Sequence, residues 1–204
     1  MPFLTQQIEI INQALLNLAL NDARFKSGRF ETIAYDVSRK DADTGAITTF
    51  PAVMDANYEA QEITVDDTYP IIIYHKILSK AYAFDKAPTG PNQYGDGNRY
   101  VNETTSVKMV VYGKYASLKL TREQLEALIT SNFPDSIAPV TIQPIKLDNM
   151  VVTLKGSDLN SARVWQEEYK GIPLYLAPED MLFSINYSID TRFRKGCINI
   201  CDCS

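Results

Sequence analysis

The sequence predicts an α+β protein, in which an antiparallel or mixed β-sheet is packed by an N-terminal helix and a central helix. Two stretches have helical spacing, and several others alternate apolar and polar residues as strands do. The 204 residues are 45% hydrophobic and 22% charged, an ordinary globular balance. We expect one domain over residues 1–191, with an acidic insertion at 41–67, a long loop at 85–104 and an extended C-terminal tail at 192–204.

The first predicted element is a helix over about Thr5–Leu20. Its apolar residues recur at steps of four and three, at Leu4, Ile8, Ile11, Leu15 and Leu18. Thr5 is a candidate N-cap. A helix this apolar is expected to be buried in its own domain or packed against a partner.

Strands are predicted next. Apolar residues alternate over 33–37, Asp41–Gly45 has turn composition, and Ile47–Met54 is expected to return as a hairpin partner. The most apolar strand candidate runs from Tyr69 to Phe84. Its nearly continuous apolar run over 69–75 predicts burial on both faces at one end.

The centre of the chain, Thr105–Ser131, combines a strand with a capped helix. Apolar residues alternate over 107–111, and a turn is expected at 113–117. Thr121 and Gln124 have the spacing of a capping box, in which each side chain bonds the other residue's backbone N–H. The helix is expected to bury three residues, Leu125, Leu128 and Ile129.

Prolines at 134, 139 and 144 exclude a continuing helix and favour extended edge structure. Met150, Val152 and Leu154 alternate as a strand. Residues 157–170 fit either a short helix capped by Ser157 or a loop and an edge strand. The last strand is predicted from alternation over 183–189, and the tail is expected to begin at Arg192.

Charge is unevenly distributed along the chain. Seven acids and no base lie between positions 41 and 67: Asp41, Asp43, Asp55, Glu59, Glu62, Asp66 and Asp67. Arg192, Arg194 and Lys195 cluster near the other end. The two regions are either solvated surface or two halves of a contact between neighbouring copies. Further contact residues are expected within 85–102, at Tyr94, Arg99 and Tyr100, because long loops of this kind are often functional.

The net charge of −5 argues against general nucleic-acid binding, which depends on Lys and Arg. The first residues lack the pattern of a secretory signal, and no stretch is apolar enough to span a membrane. We therefore expect the chain to be made and kept in a cytoplasm.

No motif predicts catalysis or a cofactor. Asp43-Thr44-Gly45 matches the tripeptide around an aspartic-protease aspartate, but its polar flanks favour a turn. His75 is the only histidine and is expected on a strand surface or in the core. The glycines at 90–97 lack the Lys-Ser/Thr and the following helix that a phosphate loop needs.

Cys197, Cys201 and Cys203 are the only cysteines. Their spacing is not that of a zinc knuckle, and a metal site would need a fourth ligand such as Asp202 or His75. Free thiols, metal ligands and inter-chain disulfides all remain open, and these residues are only weak metal candidates.

The predicted element order resembles that of tail-terminator and head–tail joining proteins of tailed bacteriophages, including neck and collar ring proteins. The resemblance rests on an N-terminal helix, a strand like 69–74, a long loop, a strand like 107–112, a helix like 121–131 and a late strand like 182–193. The acidic insertion and the cysteine-bearing tail are additions to this pattern, and they look like those of virion proteins of crAss-like phages.

The resemblance implies a non-enzymatic virion protein that assembles as a homo-oligomeric ring, commonly of six or twelve copies. Its implied partners are other copies and neighbouring portal, ring or tail proteins, with genomic DNA passing through unbound. The alternative is a soluble adaptor that binds a small partner through loop 85–102.

Overall fold

The computed structural model describes residues 2–65, 68–84, 100–137, 141–142, 145–146 and 150–194. Its helices are α1 Pro2–Asn21, α2 Tyr115–Leu118, α3 Arg122–Ser131 and α4 Ser161–Glu168, with a 3-10 turn at Ala23–Phe25. Its strands are β1 Arg29–Ile33, β2 Tyr35–Lys40, β3 Ile47–Met54, β4 Ala60–Glu62, β5 Ile71–Phe84, β6 Tyr100–Lys114, β7 Ser136–Ile137, β8 Thr141–Ile142, β9 Ile145–Lys146, β10 Met150–Asp158 and β11 Asp180–Arg194. The α+β prediction is confirmed.

A six-stranded mixed sheet forms the centre, in the order β1-β5-β6-β11-β10-β7. Only β1 and β5 are parallel; the other pairs are antiparallel. β5, β6 and β11 pair along their whole lengths, from Ile71, Gly113 and Met181 at one end to Phe84, Val101 and Phe193 at the other. We call these the proximal and the distal end of the sheet.

One face of this sheet packs against α1 and α3. Ile8, Ile11 and Leu15 of α1 and Leu125 and Ile129 of α3 are all buried here. From the sheet, this core receives the predicted alternating row Val107, Met109 and Val111, together with Phe183, Ile185, Tyr187 and Ile189. The prediction that these strands present an apolar row to one face is confirmed.

The opposite face carries α4 and a separate three-stranded sheet, in the order β2-β3-β4. Phe50 and Ala52 of β3 and Trp165 of α4 pack there on Ile72 and Leu182 of the main sheet. Since Ile71–Tyr74 are all buried, the prediction that this strand is covered on both faces is also confirmed. β2 and β3 form the predicted antiparallel hairpin, with Tyr35 opposite Ala52 and Lys40 opposite Ile47.

Local signals predicted several element ends correctly and misplaced others. The capping box is confirmed: Gln124 N donates to Thr121 Oγ1 at 3.3 Å, and Thr121 N donates to Gln124 Oε1 at 2.9 Å. Thr5 is not an N-cap, because α1 begins at Pro2. α4 is a helix capped by Asn160 rather than by Ser157, which resolves the alternatives for 157–170.

Two predicted core positions are less buried than the pattern indicated. Leu128 is only partly buried, whereas its neighbours Leu125 and Ile129 are fully covered. Leu154 is 41% exposed. A register shift between Leu154 and Gly156 interrupts the regular alternation of β10 next to this residue.

Three predicted boundaries differ from the structure. Residues 33–37 do not form one strand, because Ile33 ends β1 in the main sheet and Tyr35 begins β2 in the smaller one. Residues 100–104, predicted in the loop, belong to β6, and residues 192–194, predicted in the tail, belong to β11. These two segments pair with each other, Arg192 opposite Asn102 and Arg194 opposite Tyr100. In the described residues no helix is long and apolar enough to cross a membrane.

Candidate functional site

The acidic residues predicted at an interface lie in the turns and strands of the three-stranded sheet. Asp41 Oδ1 accepts hydrogen bonds from Asp43 N at 3.0 Å, Thr44 N at 2.7 Å and Thr44 Oγ1 at 2.8 Å. These bonds, that of Thr44 N first, hold the pKa of Asp41 below its ordinary value. The Asp41–Gly45 turn is therefore confirmed, and the Asp41 carboxylate has a structural role within it.

Asp55 closes the turn between β3 and β4 in the same way. Its Oδ1 accepts from Glu59 N at 2.9 Å and from Asn57 N at 2.8 Å. The Glu59 bond contributes most to lowering the pKa of Asp55. Glu62 forms an ion pair with Arg39 across the small sheet at 3.7 Å. Asp43 and Glu59 are exposed, and among the acids that the structure describes here they are the best placed to meet a partner.

Of the basic group, Arg192 is exposed on β11 and Arg194 ends that strand, while Tyr100 begins β6. The remaining predicted contact residues, Asp66, Asp67, Tyr94, Arg99 and Lys195, lie outside the described residues, as do Cys197, Cys201 and Cys203.

The structure separates the acidic region from the basic one. The small acidic sheet packs on the proximal end of the main sheet, around Leu182. Arg192 is ten residues further along the same strand, which corresponds to roughly 33 Å. Both lie on one face, because residues an even number apart in a strand share a face. The exposed acids of the small sheet and the exposed Arg192 thus lie at opposite ends of one subunit.

The distal part of β5 is the most exposed stretch of the main sheet. Every residue from Leu78 to Ala83 is exposed, with Leu78 at 55% and Tyr82 at 54%. Lys80 Nζ donates to Glu103 Oε1 of β6 at 3.1 Å. The sequence did not distinguish this half of the strand from the buried half.

His75 lies in the core, one of the two locations expected for it. Its Nε2 is 2.8 Å from Asn12 Oδ1 of α1, and its Nδ1 is 2.9 Å from the Tyr187 hydroxyl. Burial lowers the pKa of His75 to about 3. Both ring nitrogens are occupied and the side chain has no exposed surface, so His75 joins α1 to the sheet and is not placed to act on a substrate.

A charged cluster that the sequence did not indicate lies between α4 and the main sheet. Glu168 is fully buried and binds two lysines, Lys76 Nζ at 2.9 Å and Lys108 Nζ at 2.5 Å. The lysines have outer partners as well, Asp36 for Lys76 at 2.5 Å and Glu167 for Lys108 at 3.0 Å.

Each charge of this cluster has a partner of opposite sign within the protein. Burial lowers the pKa of Lys108, but its hydrogen bond to Glu168 and the charge of Glu168 more than offset this, so the pKa lies above its ordinary value. Tyr74 donates a further hydrogen bond to Glu168 at 3.3 Å. Since Glu168 has no solvent access, the cluster fixes α4 and β2 on the sheet instead of binding a ligand.

This cluster could have been predicted only from the pairing of the strands, not from the sequence pattern. Lys76 and Lys108 face each other in the register of β5 and β6, and α4 lies across that position. With the strand pairing known, two lysines on a covered face would have predicted a buried acid between them.

A cleft of about 430 Å³ lies at the proximal end, between the start of α3 and the start of β11. Its lining mixes one base, Arg122, with Glu123, Glu179 and Asp180. Asp180 Oδ2 is already bonded to the Tyr112 hydroxyl at 3.1 Å. The mixed charges indicate no particular class of ligand.

Within the residues placed by the structure, no three side chains of His, Cys, Asp or Glu are arranged to hold a metal ion. The predicted cofactor-free character and the metal candidacy of the cysteines stay predictions. No protein-family model matches the sequence, and no curated protein matches it.

Proposed function

We propose that this chain is a non-enzymatic structural protein of a tailed-phage virion. In this proposal it forms a homo-oligomeric ring in the neck or tail, connects the portal to the tail and lines the genome conduit. Assembly takes place in the host cytoplasm, and the partners are further copies and the adjoining portal, ring or tail proteins.

The order of elements around the central sheet is the observation that carries the proposal. A long helix α1 precedes β5, β6 follows, then α3, and β11 completes the central three strands. This is the order on which the resemblance to head–tail joining proteins rests. The described helices and strands follow the order of that pattern, with its strands in one sheet and its two helices packed on that sheet, which supports the proposal.

The separation of charge gives the proposal a mode of assembly. A ring needs two different complementary surfaces on each subunit, so that each copy contacts the next head to tail. The acidic small sheet and the basic distal end of β11 are two such surfaces, with Asp43 and Glu59 on one and Arg192 on the other. Complementary charges of this kind favour correct orientation and fast association.

The overall charge fits a conduit. With a net charge of −5, the subunit repels DNA phosphates on average. A ring of such subunits lets a genome slide through its lumen without binding it. We therefore expect a DNA-binding assay of the assembled protein to detect no salt-dependent binding.

Native mass spectrometry of the purified chain tests the proposal. We expect a discrete high-order species, alone or with a neighbouring neck protein, and the chain itself in purified virions. A variant with Arg192→Glu, Arg194→Glu and Lys195→Glu should lose the high-order species at physiological salt. The matched control reverses three exposed bases outside the two proposed surfaces, Lys26, Lys119 and Lys155, and should keep it.

Adding Asp43→Lys and Glu59→Lys to the basic-end variant should recover assembly if the two surfaces meet. A protein that stays monomeric under all conditions, and is absent from virions, contradicts the proposal. A stable monomer or dimer that binds one small ligand saturably would favour the adaptor function.

A further inference from the structure

The outer edge of β5 pairs with β1 only as far as His75, and its pairing changes beyond that residue. β1 pairs with β5 only as far as Ile33 opposite His75, and Ala34 N donates the last bond to His75 O at 2.7 Å. The chain then leaves the main sheet and begins β2 in the smaller one. Within the described part of the chain, the remainder of β5 therefore pairs on one side only, with β6.

Beyond Leu78, the described part of this edge has little of the usual protection against strand pairing. Natural edges are often blocked by a charged side chain, a proline or a bulge. A register shift between Ile77 and Ser79 marks the beginning of the exposed segment, but pairing with β6 is regular from Ser79 to Phe84. The one charge, Lys80, is paired with Glu103 within the subunit. The edge is thus regular over the six residues 79–84, irregular only at its start at Leu78, and nearly neutral.

The segment is complementary to itself when it runs antiparallel to a second copy. The midpoint of 78–84 is Ala81, so a two-fold axis there places Ala81 opposite its own copy. Lys80 then lies opposite Tyr82 of the second copy, and Ser79 opposite Ala83. A lysine beside a tyrosine ring is a favourable cross-strand neighbour, and small residues occupy the axis. Shifting the axis to Lys80 would oppose two lysines.

We propose that two copies of this chain associate through antiparallel pairing of their β5 edges, residues 78–84, about a two-fold axis at Ala81. The pairing joins two six-stranded sheets into one continuous sheet. It satisfies backbone groups that β6 leaves free and covers part of Leu78 and Tyr82. This contact is isologous and does not rest on the head-to-tail ring proposed above.

Opposite charges at position 81 test the axis directly. In Ala81→Glu or Ala81→Lys, identical charges face each other across the axis, and we expect dimer affinity to fall about tenfold or more. Mixing the two variants in equal amounts should restore a heterodimer, because the axis then joins Glu to Lys. The measurement is sedimentation equilibrium or native mass spectrometry over a concentration series.

Ala127→Glu and Ala127→Lys are the matched controls, since Ala127 is exposed on α3 on another surface. They should dimerise like the unmodified chain, singly and mixed. A monomeric unmodified chain at millimolar concentration would overturn the inference, as would full dimerisation of each Ala81 variant alone. Failure of the mixture to recover the dimer would overturn the Ala81 axis.

Circular dichroism establishes that the variants fold. If either Ala81 variant does not, hydrogen exchange of the unmodified chain decides: protection of the outward β5 amides must rise with concentration. The reversed bases at 192–195 affect the ring alone and the Ala81 pair affects the two-fold contact alone, so the two proposals can fail separately.

Discussion

The two halves of β5 belong to one continuous strand but have opposite surroundings. From Ile71 to His75 every residue is buried, with β1 on the outer edge, α1 on one face and the small sheet on the other. From Leu78 to Ala83 every residue is exposed. Both halves nevertheless belong to one strand that pairs with β6, with a register shift between Ile77 and Ser79 at their junction.

This difference separates stability from association. The covered half holds the polar pair His75–Asn12, and the Lys76–Glu168 ion pair follows directly after it; the two pairs join two helices to the sheet. Substitutions in the covered half should lower the free energy of unfolding. Changes in the uncovered half should leave folding intact and alter contacts between copies.

The largest effect is expected at Glu168. Glu168→Gln should lower the free energy of unfolding by roughly 3–5 kcal/mol, because two partly buried lysine ammonium groups lose the carboxylate that they share and keep only their outer partners. Glu167→Gln is the control: its side chain is 49% exposed, and its pair with Lys108 should contribute less than about 1 kcal/mol. Urea unfolding measures both. Equal small losses would mean that the cluster does not hold α4.

A similar but purely apolar effect is expected beneath the same strands. Leu125→Ala should cost about 2–5 kcal/mol, since the side chain is fully buried in the α3 core. Leu128→Ala should cost only about 1–2 kcal/mol, because Leu128 is partly exposed and loses less buried area. Thermal or urea unfolding separates the two. The reverse ranking would place the buried side of α3 elsewhere.

Lowering the pH should reduce the free energy of unfolding, because His75 is buried in the covered half of β5. The folded pKa of about 3 lies below the ordinary 6.5, so between these values the unfolded chain binds a proton that the folded chain excludes. Stability is therefore complete above pH 6.5 and falls as pH decreases, by about 2 kcal/mol between pH 7 and pH 5.

The control for this prediction is His75→Gln, which can still bond Asn12 and has no charge to gain. Its stability, although lower, should lose this dependence between pH 7 and pH 5. An unchanged pH dependence in the variant would assign the effect to other groups.

The smallest effect on folding is expected in the uncovered half. Leu78→Ala and Tyr82→Ala should each change the free energy of unfolding by less than about 0.5 kcal/mol, as exposed positions commonly do. The same variants should weaken dimerisation in a concentration series. A loss of several kcal/mol in a monomer would show that these side chains pack within the subunit.

Much of the fold could be predicted from local pattern. The alternation over 107–111 and 183–189 and the capping box at Thr121 are determined by neighbouring residues, and the structure confirms them. Residues 100–104 and 192–194 could not be recognised in this way. They are largely polar and are strands because β6 and β11 pair with each other there, 90 residues apart at Arg192 and Asn102.

The contacts of Glu168 could not be predicted either, because they too join residues that are far apart in the sequence. Glu168 follows another glutamate in a stretch that fitted helix or loop, and such a pair ordinarily faces solvent. Its burial follows from Lys76 and Lys108, which lie 92 and 60 residues earlier in the chain. The free edge of β5 likewise follows from the point at which β1 ends, and no local pattern predicts that point.

Residue-resolved hydrogen exchange along β5, recorded at low and high protein concentration, tests the central comparison most directly. We predict slow exchange for Ile71–His75 at both concentrations. Between Leu78 and Phe84, the alternate amides directed away from β6 should exchange fast in dilute protein and become protected when it is concentrated. Equal protection of both halves, independent of concentration, would contradict the division of β5 into a stabilising and an associating half.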